Sequence, residues 1–227
     1  MEEQFALITG TSSGIGLEMA QFLLSEGYTV IGVSRRATPI DHPQFIDILC
    51  DIRDEVSVEE MYQIIGEHTD KLHVVVLNAG IFEMAPLVEM STKEFSDHLL
   101  TNVVGSFHIL KHLGDLILED ETHIIAISSS VAKKGLPNIS AFSASKVALN
   151  GMIESLRGEW SDLGVRFSVL MPGAISTTIW DEHEREMGQD QMMSVEDFMH
   201  VFQMVARSPR HIQFPELVFL HKSGISK

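Results

Sequence analysis

Short apolar runs alternate along this chain with segments whose apolar residues fall at helical spacing. Phe5–Ile8, Tyr28–Val33, Phe45–Leu49, Leu72–Leu77, His123–Ile127 and Val165–Met171 read as strands, and Glu216–Leu220 as a short last one. Leu72–Leu77 is apolar almost without a break, as expected for a parallel strand covered on both faces. Between them, Leu17, Met19, Ala20, Leu23 and Leu24 outline a helix that Gly27 ends. Ser57-Val58-Glu59-Glu60 has capping-box spacing and opens a helix to about Gly66. Ser91-Thr92-Lys93-Glu94 opens a longer one, with an apolar stripe of Phe95, Leu99, Val103, Phe107 and Leu110. A helix from Phe142 to Leu163 carries Val147, Leu149, Met152, Ile153, Leu156 and Trp160, and Ser194-Val195-Glu196-Asp197 is spaced to cap another. This rhythm predicts an α/β fold: one domain over residues 1–227, a doubly wound parallel sheet with helices on both faces.

Charge narrows the partners. Thirty-two acidic against sixteen basic residues give a formal net charge of −16. Nucleic-acid binding needs clustered cations that are missing here, and an anionic membrane would be repelled. No apolar run approaches the roughly 18–20 residues of a membrane span. Met1-Glu2-Glu3-Gln4 leads straight into the first strand, so no secretory signal is expected. Cys50 is the only cysteine, which leaves no intrachain disulfide and makes a cytoplasmic protein the expectation.

Two stretches carry candidate ligand chemistry. Thr9-Gly10-Thr11-Ser12-Ser13-Gly14-Ile15-Gly16 lies between a strand and a helix. Glycines there let the backbone turn tightly and approach a pyrophosphate, which the helix N-terminus attracts with unpaired N–H groups. The plain alternative is a glycine-rich turn without a ligand. The second strand ends in Ser34-Arg35-Arg36 with no acid. An acid would suit a ribose 2′-hydroxyl, whereas guanidinium suits a 2′-phosphate. NADP(H) is therefore expected over NAD(H), against the alternative of a solvated basic turn.

Together with Asp51 and Asn78-Ala79-Gly80, in this order and at these distances, the glycine motif resembles that of the short-chain dehydrogenase/reductase family, whose fold is Rossmann-type. The resemblance runs from about residue 5 to residue 177. It implies that Asp51 and Ile52 lie beside the adenine and that Asn78, Ala79 and Gly80 line the cofactor cleft. Asn102 matches the family's active-site asparagine, which helps hold a water linked to a catalytic lysine; the alternative is a polar residue tolerated at a helix contact. Ser129, thirteen residues before Phe142, matches the catalytic serine, with Ser128 and Ser130 as neighbouring candidates. Lys146 matches the lysine that binds the nicotinamide ribose and lowers a tyrosine pKa. Pro172-Gly173-Ala174-Ile175-Ser176-Thr177 resembles the turn that positions the nicotinamide, through Ile175 and Thr177.

The departure is Phe142. The family pattern places a tyrosine four residues before the lysine, where both share a helix face. A phenyl ring fills the same space with no proton to give, and losing a general acid costs roughly a hundred- to ten-thousandfold in rate. The implied activity is hydride transfer between the nicotinamide and a small carbonyl or alcohol substrate, impaired in this form. The alternative is a catalytically inactive NADP(H)-binding sensor or interaction protein. The resemblance also implies a homodimer through the helices carrying Asn102 and Lys146. A tetramer is possible, although the family's glycine-rich ending is missing. Residues 178–206, rich in methionine, are expected to form a substrate lid, or else plain packing. His183 among Glu182, Glu184 and Glu186 reads as a solvated charged face, and no metal is expected.

Overall fold

The computed structural model describes residues 3–180 and 191–224. These form a seven-stranded, wholly parallel sheet in the order β3-β2-β1-β4-β5-β6-β7. The strands are β1 Phe5–Thr9, β2 Thr29–Ser34, β3 Phe45–Leu49, β4 Val74–Leu77, β5 His123–Ile127, β6 Arg166–Pro172 and β7 Leu217–Phe219. The chain runs outward from β1 through β2 to β3, then returns to place β4 on the other side of β1. That reversal opens a crevice at the carboxyl ends of β1 and β4.

Consecutive apolar residues serve the two faces in turn. Leu7, Val75 and Ile124 pack under α2 (Glu55–Gly66), α4 (Gly105–Lys111) and α5 (Ser140–Glu159). Ala6, Ile8, Val76 and Ile125 pack under α1 (Gly14–Ser25) and α6 (Val195–Ala206). Phe198 and Phe202 of α6 are fully buried, and Phe202 meets Phe22 of α1 edge-on at 5.9 Å. The 195–206 part of the expected lid is therefore a layer of the core: its aromatic face fills the space between α1 and the sheet. Met199 is buried with it, while Met204 is exposed. Met187 and the His183 cluster lie outside the described residues.

The capping boxes at Ser91/Glu94 and Ser194/Asp197 form as their spacing predicts. The one at Ser57 does not. Helix α2 begins three residues earlier, because the Asp54 side chain accepts the Val56 N–H as N-cap. A larger difference concerns α3 (Thr92–Leu99), which runs through a π-helical turn, Leu100–Val104, into α4. Of the expected apolar stripe Leu110 is buried, Phe95, Leu99 and Val103 are half-buried and Phe107 is exposed, while much of the buried face is polar or small: His98, Thr101, Asn102, Gly105, Ser106 and His108. Phe107 is 46 % exposed, and on α5 the apolar Val147 is 53 % exposed. Close approach explains the small and polar part of that face: a Cβ on Gly105 would lie 2.6 Å from the Ile52 side chain. Small and hydrogen-bonding residues fit that contact, and Phe107 is left on the outside.

Candidate active site

The glycine-rich turn is fastened to the loop after β4. Gly10 (φ +79°) and Gly14 (φ +59°) adopt left-handed backbone that favours glycine. A Cβ on Gly16 would lie 2.1 Å from the Gly10 carbonyl oxygen and 2.6 Å from Asn78 Nδ2. Asn78 Nδ2 donates to the carbonyls of Thr9 (2.8 Å) and Gly10 (3.3 Å). The Thr9 hydroxyl donates to the Val76 carbonyl and accepts the N–H groups of Asn78 and Ala79, both at 3.0 Å. Both sides of the switch point are thus locked by backbone-directed bonds. At the start of α1 the Ser13 side chain makes no capping bond. Among the described residues the first N–H groups of that helix have no capping side chain, and they lie beside a cavity that Ser12, Ser13 and Gly14 line.

At the end of β2, the Ser34 hydroxyl donates to the Arg36 carbonyl, and the Arg35 and Arg36 side chains are exposed at the cavity wall. Across from them, Arg53 clasps Asp51 through Nε (2.9 Å to Oδ1) and Nη2 (2.6 Å to Oδ2). That hydrogen bonding holds the Asp51 carboxyl below its ordinary pKa, with burial opposing and the Arg35 charge adding a little. His108 Nδ1 lies 2.9 Å from the Ile52 carbonyl.

At the other end of the cavity the key connector is Asn102. Its Oδ1 accepts the Ile81 N–H (2.8 Å), and its Nδ2 donates to the Ile81 carbonyl (3.1 Å) and to Ser145 Oγ (2.9 Å). Ser145 Oγ in turn donates to the Phe142 carbonyl at 2.7 Å. One amide therefore ties the loop after β4 to the first turn of α5, and the π-helical turn in which it sits presents it there. Lys146 is 5 % exposed, and its ammonium donates to the Ile127 carbonyl at 2.8 Å. Burial alone lowers its pKa to about 8. The ammonium stands 5.5 Å from the centre of the Phe142 ring. Ser129 Oγ accepts the Val131 N–H at 3.3 Å and makes a long contact of 3.4 Å to the Pro172 carbonyl, whereas the buried Ser128 Oγ has no hydrogen-bond partner. Gly173 N–H donates to the Phe219 carbonyl, anchoring the Pro-Gly turn to β7.

These parts line one cavity of about 940 Å³. Gly10, Ser12, Ser13, Gly14, Ile15, Gly16, Ser34, Arg35, Arg36, Asp51 and Ile52 line one part of it. Asn78, Ala79, Gly80, Ser129, Phe142, Lys146, Pro172, Gly173, Ile175 and Thr177 complete the set of sequence candidates at its wall. Asn102 is not among the lining residues; its hydrogen bonds run to Ile81 and Ser145. Sequence reasoning missed Arg53 and an apolar wall of Phe82, Met84, Leu136, Ile139 and Trp180. Phe82 meets Phe142 edge-on at 5.0 Å and Trp180 at 4.4 Å. Outside the cavity, Glu55, Glu59 and His112 bring ligand atoms within 4.8 Å of one another, with the Lys111 ammonium already on Glu55. They join α2 to the end of α4.

Comparison with known proteins adds the family context. A family model described as short chain dehydrogenase matches residues 4–188. The chain is 32% identical over 172 residues to 3-oxoacyl-[acyl-carrier-protein] reductase MabA of Mycobacterium avium, covering 75% of this chain and 67% of that one. It is 32% identical over 187 residues to 3-amino-tetrahydro-pyrrolizinone reductase of Xenorhabdus hominickii, covering 80% and 65%. Thus it spans about two thirds of the length of these curated relatives. Among solved structures, an alcohol dehydrogenase from Thermococcus sibiricus complexed with 5-hydroxy-NADP superposes with a TM-score of 0.89 at 24% identity, over 100% of both chains. A 3-ketoacyl-(acyl-carrier-protein) reductase from Brucella melitensis complexed with NADH gives 0.88 at 23%, over 99% of both. These two share the fold.

Proposed function

Because this chain belongs to the short-chain dehydrogenase/reductase family of oxidoreductases, we propose that it binds NADP(H) in preference to NAD(H) and is built for hydride transfer with a small carbonyl or alcohol. In this form its proton step is impaired. One observation carries the reading: Phe142 and Lys146 share the cavity-facing side of α5, the ammonium 5.5 Å from a ring that has no hydroxyl.

A bound nicotinamide supplies or accepts the hydride. The chain's own residues do the rest. The unclaimed N–H groups at the start of α1 hold the pyrophosphate, and the left-handed glycines let the backbone come close. Arg35 and Arg36 suit a 2′-phosphate, with Arg53 and Asp51 flanking the adenine side. Lys146 holds the ribose hydroxyls, and Ser129 the substrate oxygen. Charge growing on that oxygen during reduction needs a proton, which Phe142 cannot give. Of the expected lid, the described residues Ile179, Trp180 and Gln191 line the cavity and would meet the substrate. The cytoplasm is the proposed compartment, in keeping with a lone, buried Cys50; among the described residues no helix is long and apolar enough to cross a membrane.

A second reading, a cofactor-binding sensor or interaction protein without turnover, is favoured by the way the Phe142 ring is absorbed into the aromatic packing of Phe82 and Trp180. Titrating the protein with NADPH and NADH, then assaying parent and Phe142→Tyr against aldehydes and ketones, decides between them. Rescued NADPH oxidation supports the enzyme. Tight NADPH binding with no turnover in either form supports the sensor. Failure to bind either nucleotide overturns both.

The proposed assembly is a homodimer through α3–α4 and α5, where Phe107 and Val147 leave apolar surface uncovered. A tetramer would additionally use the open β7 edge, with Val218 exposed. A monomeric mass in solution overturns the dimer.

A further inference from the structure

The part of the cavity beyond Phe142 differs in chemistry from the part around the glycine turn. Its wall is an apolar cluster in which Phe82, Ile139 and Trp180 are buried and Leu136 and Phe142 pack against them. Phe82 contacts Phe142 edge-on and Trp180 at a tilt, so three rings hold one another in place before any ligand arrives. Rings fixed in this way lose little freedom on binding and offer faces and edges to another ring.

Charge is scarce on this wall. Among the described residues Lys133 and Lys134 both line the cavity, but Glu216 pairs with Lys133 at 2.5 Å and Lys134 is engaged as well. Lys146 is the buried cation, committed to the Ile127 carbonyl and facing the ribose in the reading above. Burial already opposes its charge, since its pKa falls to about 8. A carboxylate brought here would lose much of its hydration, and Lys133, Lys134 and Lys146 would each have to give up an existing partner to replace it.

Resting on the dehydrogenase reading, we propose that this end of the cleft takes an uncharged carbonyl compound with an apolar ring body and rejects the same body carrying a carboxylate. Phe82 is the residue that would set the preference, because it alone touches both other rings.

The probes are acetophenone and phenylglyoxylate, which share a phenyl ketone and differ by a carboxylate in place of a methyl. Binding is read by quenching of Trp180 fluorescence in a Trp160→Phe background, with and without saturating NADP+, so the result does not depend on turnover. Acetophenone should bind at least about tenfold more tightly than phenylglyoxylate, and Phe82→Ala should weaken it about tenfold, the loss of one ring contact cluster. Phe82→Leu keeps the wall apolar and should stay within about threefold, which guards against a misfolded alanine variant. Equal or tighter binding of phenylglyoxylate overturns the proposal, as does no binding of either probe or an unchanged Kd in both Phe82 variants. A protein that binds acetophenone as described but fails to bind NADPH leaves the pocket preference standing and removes the dehydrogenase reading instead.

Discussion

The two ends of the cleft are made in different ways. Around Gly10–Gly16 and Asn78 the wall is largely backbone, held by the Thr9 hydroxyl and the Asn78 amide across the β1–β4 junction. Around Phe142 the wall is side chain, drawn from the loop after β4, the loop before α5, α5 itself and the turn after β6. A backbone site depends on a few contiguous residues with unusual conformations, so it tolerates little change. A side-chain site can be repacked one residue at a time. That difference would let a chain keep the backbone-built end unchanged while the side chain four residues before Lys146 becomes phenylalanine.

If the ends are independent, a change at one should leave the other alone. Phe142→Tyr is the largest expected effect: turnover with a suitable carbonyl rises by roughly a hundred- to ten-thousandfold, while the Kd for NADPH moves less than about twofold. Steady-state kinetics beside nucleotide titration reads both quantities. A large shift in nucleotide affinity would show that the aromatic wall and the cradle are coupled.

Gly16→Ala is the mirror experiment. Its Cβ would press on the Gly10 carbonyl and on Asn78 Nδ2, a backbone atom and an anchored amide that cannot swing away. Overpacking of this kind costs roughly 1–3 kcal/mol, so NADPH affinity should fall about ten- to hundredfold while acetophenone quenching of Trp180 persists. Unchanged nucleotide affinity would mean the turn is looser than its contacts imply. Arg35→Ala should act more narrowly: NADPH weakens about tenfold, as for one charged hydrogen bond, and NADH hardly at all. Equal losses for both nucleotides would remove Arg35 from the 2′-phosphate.

What could be read in the sequence follows the same division. The seven strands, the glycine turn and the Asn78 loop are contiguous, and their residue types report local conformation or two-sided burial directly. Helix α3–α4 misleads because Phe107 of its apolar stripe lies outside while His98, Asn102 and Gly105 lie inside beside Ile109 and Leu110; periodicity shows a stripe but not which way all of it faces. The π-helical turn at Asn102 has no sequence mark of its own, and it is what brings the amide to Ile81 and Ser145. Phe82, Leu136 and Trp180 stand in loops about fifty residues apart, each an ordinary apolar residue until the fold gathers them. Asp54 displaced Ser57 as the cap of α2 because both have capping side chains and only the turn geometry chooses.

Lys146 belongs to both ends, and it gives the subtlest test of their separation. Its folded pKa, about 8, is below the ordinary lysine value of 10.5, and burial is the cause. Between those two pH values the unfolded chain holds a proton that the cofactor-free folded chain has released, so stability must rise with pH across this window. Below about pH 8 the folded chain carries the full cost of a buried ammonium. Lys146→Met removes the charge and keeps much of the stem, so the cofactor-free variant should melt a few degrees higher than the parent at pH 7, and the gap should narrow as pH rises from 8 toward 10. Nucleotide affinity should move in the opposite sense, falling in the variant as the ribose loses its donor. Thermal melts at several pH values, with and without NADPH, separate the two effects. A variant less stable than the parent at pH 7 without nucleotide would show that the bond to the Ile127 carbonyl outweighs desolvation, and that this lysine is held for the fold as much as for the ligand.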